Sequence, residues 1–397
     1  MTVGVYQQFG VKTVINGRSY STKVGGSLMA PEVLHAMEEA AKAFVRISDL
    51  QEAASREIAA LTGAEAGLVT SGASAALTLA AAACIAGLDP DKMNRLPSTE
   101  GLKNQVIVQR LHRNDYDHAL RTAGAEVIEV GFNYATFPYE LDRAFTERTA
   151  AMFVLAGQGS RSLPLRVATE IAHKRLVPVI VDAAAELPPA DNLKDFISQG
   201  ADLVAFSGGK HIRGPQSSGF LCGKRDLILS ASLQQQDMDV FPETWFYRRL
   251  IDEGRLVGPP HHGLGRGFKV GKEEIIGLLA ALRLYVKRDF STELEEWKKS
   301  IHQIVDGLNG IRGVEALYVF PGENGKPVPS AHIRIDEGVC GLTTHSIINR
   351  LEAGDPVISV YETFASSQLI VVFPEALRDG DPETIVRRFA EVLNEPV

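Results

Sequence analysis

Cysteine is scarce in this chain. Three residues of 397, Cys84, Cys222 and Cys340, stand far apart and form no C-x-x-C. A disulfide scaffold and a zinc ribbon are both disfavoured, and a reducing cytoplasm is the natural compartment. No stretch of ~20 apolar residues without charge occurs, so no membrane-spanning helix is expected. Met1 to Gly10 lacks the apolar centre of an export signal. Basic side chains are in the minority: 41 Lys and Arg against 49 Asp and Glu give a net charge of −8. Binding of nucleic acid through a general basic surface is therefore not expected. There is no internal repeat and no low-complexity segment. The rest is ordinary for a globular protein, with 45% hydrophobic and 23% charged residues. The length fits two domains, or one large α/β domain with a satellite.

The pattern divides the chain into three parts. Residues 1–48 read as an N-terminal arm with turns at Asn16-Gly17 and Gly25-Gly26, followed by a helix opened by Pro31, with Val33, Leu34, Met37, Ala41 and Phe44 on one face. Residues 49–270 begin with a helix stopped by Gly63. Apolar runs at 66–69, 105–109, 126–130, 151–155, 177–181, 202–206 and 218–222 then read as buried strands, with helical stretches at 73–86, 115–123, 138–147 and 164–175 between them. Such alternation predicts a mainly parallel sheet covered on both faces, with ligands outside the carboxyl ends of its strands. The polar stretch 89–104 reads as a surface loop. Residues 271–397 open with one long helical stretch, 273–308, and continue as an α+β satellite.

Three segments carry chemistry. In Phe206-Ser207-Gly208-Gly209-Lys210 a lysine follows a strand end in a glycine-rich turn. An amine that forms a Schiff base with an aldehyde needs such a confined place, and Ser207 would offer a hydroxyl to a phosphate. An isolated lysine in a turn is more often merely solvated. Val179-Ile180-Val181-Asp182 ends an apolar strand in a carboxylate that would suit a pyridine ring nitrogen, or would simply cap a turn. Thr70-Ser71-Gly72-Ala73 runs from a strand through small residues into a helix, whose free N–H groups and dipole suit a phosphate. Ser71 as an ordinary N-cap is the bland alternative. G-x-G-x-x-G and the Walker motif are absent here.

In this order, with Val14-Ile15-Asn16-Gly17 and Gly25-Gly26-Ser27 before them, these segments resemble pyridoxal-phosphate enzymes of the aspartate-aminotransferase fold type (fold type I). Within that class they resemble the branch containing bacterial selenocysteine synthase (L-seryl-tRNA selenium transferase), and most of all its D-glucosaminate-6-phosphate ammonia-lyase type. The resemblance spans roughly residues 10–390. It implies an α/β large domain with a smaller α+β C-terminal domain, and pyridoxal 5'-phosphate as cofactor. Lys210 would hold the cofactor and move the α-proton, and Asp182 would pair with the ring nitrogen. Ser71, Gly72, Ala73 and Ser207 would hold the phosphate. His112 would stack on the ring, with Tyr116 as the alternative, and Gln158 would reach the 3′ oxygen. Arg266 and Lys269 resemble a basic pair used for an anionic ligand. Arg18 and Lys23 would close over a substrate from a neighbouring subunit.

The resemblance implies a homodimer or a larger even homo-oligomer. The matching motif begins near Val14 and the charge is negative, so a tRNA substrate is not expected; a small amino acid or amino sugar acid fits better. The implied reaction is α-proton abstraction and β-elimination to a 2-keto acid with loss of ammonia. Racemisation, with His211, His261 or His262 returning the proton, is the runner-up, followed by aldol cleavage or an inactive binding protein. No metal is expected, because no carboxylate stands at a fitting sequence offset from His261-His262.

Overall fold

The structure is a computed structural model, and it describes residues 4–157, 159, 161–322 and 325–394. The described residues form twelve strands: β1 (Val14–Gly17), β2 (Ala66–Thr70), β3 (Gln105–Gln109), β4 (Glu126–Val130), β5 (Thr149–Leu155), β6 (Val179–Asp182), β7 (Leu203–Ser207), β8 (Gly219–Gly223), β9 (Val314–Val319), β10 (Ser330–Ile335), β11 (Val357–Val360) and β12 (Leu369–Val372). The chain divides into two compact units, residues 29–286 and residues 1–28 with 287–397. No helix among the described residues is long and apolar enough to cross a membrane.

Residues 29–286 are built on a seven-stranded sheet of order β2-β8-β7-β6-β5-β3-β4. The pairs β4-β3, β3-β5, β5-β6 and β6-β7 are parallel, whereas β8 runs antiparallel to both β7 and β2. The parallel strands were legible as apolar runs; the reversal of β8 was not, since a buried strand reads the same in either direction.

Helix Ala73–Ala86 lies against the middle of this sheet, with eleven buried residues. Its sequence, ASAALTLAAAACIA, is apolar all round because strands cover one side and helices Arg225–Gln235 and His118–Thr122 lie on others. Alanine keeps those neighbours close. A close approach also explains Gly67, where a methyl would sit 2.5 Å from Ile58. The exposed edge strand β4 carries Glu126 and Glu129, which pair with Arg148, Arg110 and Arg113 and discourage further strand addition. Asp202, buried at the start of β7, accepts a 2.7 Å bond from the Val179 amide and pairs with Lys224 and His173.

The stretch 89–104 is not simply a loop: Asp89 caps a short helix, Pro90–Arg95, with Pro90 and Met93 buried. The long helix expected over 273–308 is two helices, Lys272–Tyr285 and Phe290–Leu308. Asp289 caps the second by accepting from the Ser291 and Thr292 amides, so a new start overrides a continuous apolar period.

The other unit contains an antiparallel sheet of order β12-β10-β9 and a parallel pair, β1-β11. Residues 14–17 of the arm are therefore a strand, paired with a segment some 340 residues away in sequence, a contact no local pattern announces. Helix Phe290–Leu308 buries Trp297, Ile301, Ile304, Val305 and Leu308 at helical spacing. Each such side chain contributes roughly 1.5–3 kcal/mol when fully buried.

Candidate active site

The carboxyl ends of β2, β6 and β7 meet at one edge of the seven-stranded sheet, and strand register decides what meets there. Asp182 pairs with Ala205, two residues before Ser207. Ser207 and Thr70 both pair with Gly219, from opposite sides of β8. The phosphate-type turn after β2 is thus only two strand spacings, roughly 10 Å, from the lysine turn after β7. Glycine at 219 is required, because a methyl there would lie 2.7 Å from the Gly72 carbonyl carbon and 2.9 Å from the Ala73 nitrogen.

Lys210 is half-buried in a turn closed on itself. The Gly208 amide donates to the Ser218 carbonyl at 2.9 Å, the Gly214 amide to the Gly208 carbonyl at 2.8 Å, and the Arg213 amide to the Lys210 carbonyl at 2.8 Å. Asp182 is 5% exposed, and its Oδ1 accepts from the Ala184 amide at 3.0 Å. Burial pushes its carboxyl above the usual range, while the Ala184 amide and the charge of Lys210 pull the other way. The amine and the acid therefore share one electrostatic environment.

Helix Ala73–Ala86 begins at this edge without a side-chain cap. Its N-cap is Gly72, at φ 135°, rather than Ser71. Nothing lies within 4 Å of the place where a Gly72 side chain would begin. Among the described residues the hydroxyls of Ser71 and Ser207 make no hydrogen bond. Fourteen residues of helix thus present unsatisfied N–H groups and a positive dipole end to open space flanked by two hydroxyls.

His112 follows β3 and is 1% exposed. Its Nδ1 accepts from the Leu155 amide at 3.2 Å, and burial pushes its pKa down to about 4. It presents no ring face to solvent in this conformation, whereas Tyr116 is 74% exposed. Gln158 lies outside the described residues.

Arg266 and Lys269 sit on a segment held by close backbone approach. Methyl groups at Gly263 or Gly265 would come within 2.8 Å of Gln234, and the Phe268 carbonyl accepts from Gln235 at 3.3 Å. Arg266 donates to Asp237 at 3.3 Å, and Lys269 is exposed. His262 also lies 3.3 Å from Asp237, and His261 is exposed. Sequence spacing did not reveal Asp237, because its proximity arises from folding of the 236–262 loops. The same folding brings together groups that no sequence offset joined: side-chain N and O atoms of Asp237, Asp239 and His262 lie within 4.8 Å of one another, all exposed. In the other unit, Arg18 is tied to Glu362 and Ser359, and Lys23 to Glu352 and Glu362.

An aldehyde cofactor that carries a phosphate and a basic ring nitrogen needs an amine, an anion cradle and a buried acid within its own length. The sheet edge supplies all three, and the open space at Gly72 leaves the cradle unfilled by protein atoms. The chain is a pyridoxal-phosphate-dependent enzyme of fold type I.

Comparison with known proteins narrows this. A family model described as SelA, L-seryl-tRNA selenium transferase, matches residues 116–239. D-glucosaminate-6-phosphate ammonia lyase of Salmonella typhimurium (strain 14028s / SGSC 2262) is 29% identical over 399 aligned residues, covering 99% of this chain and 98% of that one. A 5'-C-glycyluridine monooxygenase-decarboxylase of a Streptomyces species is also 29% identical, over 98% of this chain and 92% of its own. A solved structure of D-glucosaminate-6-phosphate ammonia-lyase superposes with a TM-score of 0.80 at 28% identity, covering 99% of both chains. Among fold-type-I enzymes the chain is thus similar to the selenium transferases over residues 116–239 and to D-glucosaminate-6-phosphate ammonia lyase over nearly its whole length.

Proposed function

We propose that the protein is a lyase that removes the α-proton of a small 2-amino-3-hydroxy acid, an amino acid or amino sugar acid, expels the β-hydroxyl, and yields a 2-keto acid and ammonia. The observation that carries this reading is the half-buried Lys210 amine sharing its surroundings with the buried Asp182 carboxylate. The cofactor, when bound, supplies an electron sink for negative charge at the substrate's α-carbon. Asp182 holds a proton at the ring nitrogen. The uncapped helix start at Gly72 and Ala73, with the hydroxyls of Ser71 and Ser207, anchors the phosphate. Lys210 Nζ takes the α-proton and then delivers a proton to the departing hydroxyl, so one amine serves as base and acid in turn. Arg266 and Lys269 receive an anionic group of the substrate, with Asp237 occupying the guanidinium until the substrate arrives.

Further parts of the proposal are a homodimer or larger even homo-oligomer and a cytoplasmic location. The whole-chain similarity to an ammonia lyase supports the reaction type.

The test is a substrate panel of D- and L-amino acids and 6-phosphorylated amino sugar acids, read as 2-keto acid and ammonia. Loss of optical activity without keto acid would replace the lyase by a racemase. Carbon dioxide release with oxygen uptake would replace it by the chemistry named for the Streptomyces relative. With a turned-over substrate in hand, Arg266→Ala should raise KM while changing kcat little, as expected for a group that binds ground and transition states alike.

A further inference from the structure

The groups assigned to the cofactor's phosphate are all neutral. Helix Ala73–Ala86 offers backbone N–H groups and has no Lys or Arg in its first turn, and Ser71 and Ser207 offer hydroxyls. A phosphate ester carries a charge of about −1.5 to −2 at pH 7, and such an anion in a half-buried place is held well only when a cation answers it. We infer that Arg213 is the cation that completes this cradle and binds the cofactor's phosphate, which rests on the cofactor assignment and not on the lyase reading.

Backbone hydrogen bonds place Arg213 beside the cradle. Its amide donates to the Lys210 carbonyl at 2.8 Å, so Lys210 and Arg213 are the first and fourth residues of one β-turn, with Cα atoms within about 7 Å of each other. His211 and Ile212, between them, are buried, whereas Lys210 and Arg213 are both half-buried. The next amide, that of Gly214, donates to the Gly208 carbonyl at 2.8 Å. This lays residues 213–214 against Ser207-Gly208, the strand end that supplies the phosphate hydroxyl. Gly214 permits the approach, since a methyl there would lie 3.2 Å from the Gly208 carbonyl oxygen. Between Lys194 and Lys224 the only Lys or Arg residues are Lys210 and Arg213. Lys210 is committed to the aldehyde, so Arg213 is the cation this segment has left for the phosphate.

The conformation at 213 is a second observation. Arg213 stands at φ 59°, in the left-handed region, where glycine is at ease and a long L-residue is disfavoured. Ser19, Leu176 and Gln368 are the other non-glycine residues at positive φ among those described, and none of them shares a turn with the amine. The turn itself gains nothing from arginine at this place. What arginine adds is a guanidinium, whose planar fork matches two phosphate oxygens.

The experiment compares pyridoxal 5'-phosphate with pyridoxal, which lacks the phosphate, by equilibrium dialysis against the full-length protein freed of cofactor. Wild type should prefer the phosphorylated form. Arg213→Asn removes the charge and leaves a residue that accepts positive φ readily. Its affinity for pyridoxal 5'-phosphate should fall about 10- to 150-fold, the loss of a hydrogen bond to a charged group, while its affinity for pyridoxal stays the same. Arg213→Lys should recover part of the loss. In ³¹P spectra of the loaded wild type the cofactor signal should hold its position from about pH 5 to 8, because a neighbouring cation keeps the phosphate fully ionised where the free group titrates near about 6. In loaded Arg213→Asn that signal should move with pH. An Arg213→Asn protein that keeps the wild-type preference for the phosphorylated form, or that loses both ligands equally, would overturn the inference. So would a wild-type ³¹P signal that titrates like the free phosphate, a result that needs no variant to fold. A wild type that binds neither ligand would instead sink the cofactor assignment on which the inference stands.

Discussion

Asp182→Asn separates the two tasks of a buried functional acid, because the substitution should move stability and cofactor affinity in opposite directions. Asparagine keeps the shape of the side chain and, through its own Oδ1, the 3.0 Å bond from the Ala184 amide. What disappears is a negative charge in a position only 5% exposed. Without cofactor that charge has the Lys210 ammonium as its favourable neighbour, and burial still leaves the carboxyl above its ordinary range. Below the unfolded-state value of about 3.9 the acid is neutral in both states and costs nothing. Between that value and the raised folded one, the unfolded chain ionises first, so stability falls as pH rises; above the folded value the loss is constant.

The cofactor-free variant should therefore melt higher than wild type at neutral pH, by on the order of 1 kcal/mol, or about 2–4 °C for a unit of this size. The margin should shrink as pH is lowered toward 4. Cofactor affinity should drop about 10- to 150-fold, the equivalent of a charge-assisted hydrogen bond of about 1.5–3 kcal/mol. Thermal unfolding followed by circular dichroism, and equilibrium dialysis against the cofactor, measure the two quantities. A cofactor-free variant that melts lower than wild type with an unchanged spectrum, or one that binds cofactor as tightly, would refute the reasoning.

Lys210→Ala should abolish the visible absorbance that survives gel filtration of the reconstituted protein, while leaving its circular dichroism unchanged. Gly72→Ala should destabilise by about 1–3 kcal/mol through backbone strain alone, since φ is 135° and the methyl meets nothing within 4 Å; denaturant unfolding measures this, and weaker cofactor retention should accompany it. Asp202→Ala should cost about 1–3 kcal/mol in the same assay, because it strands the buried Val179 amide, whereas Lys224 and His173 are partly exposed and regain water.

The sequence by itself determined the elements that local chemistry dictates. Apolar runs fixed the strands ending at Asp182 and Ser207, and small residues fixed the strand-to-helix turn at Ser71, Gly72 and Ala73. The resemblance built on those segments agrees with the fold and with the relatives that match the whole chain. Hydrophobic periodicity cannot show direction, partner or a cap that interrupts it. The reversal of β8, the pairing of β1 with β11 and the break at Asp289 were therefore absent from the sequence reading.

Tertiary structure alone decided which side chains share an environment. Gly219 draws the phosphate turn to the lysine turn only because β8 lies between β2 and β7. Asp237 meets Arg266, and the Leu155 amide sets the tautomer of His112, across 29 and 43 residues of chain. A pattern read along the chain reports how each residue faces its own helix or strand; contacts between distant segments depend on register and packing, which exist only once the core has closed.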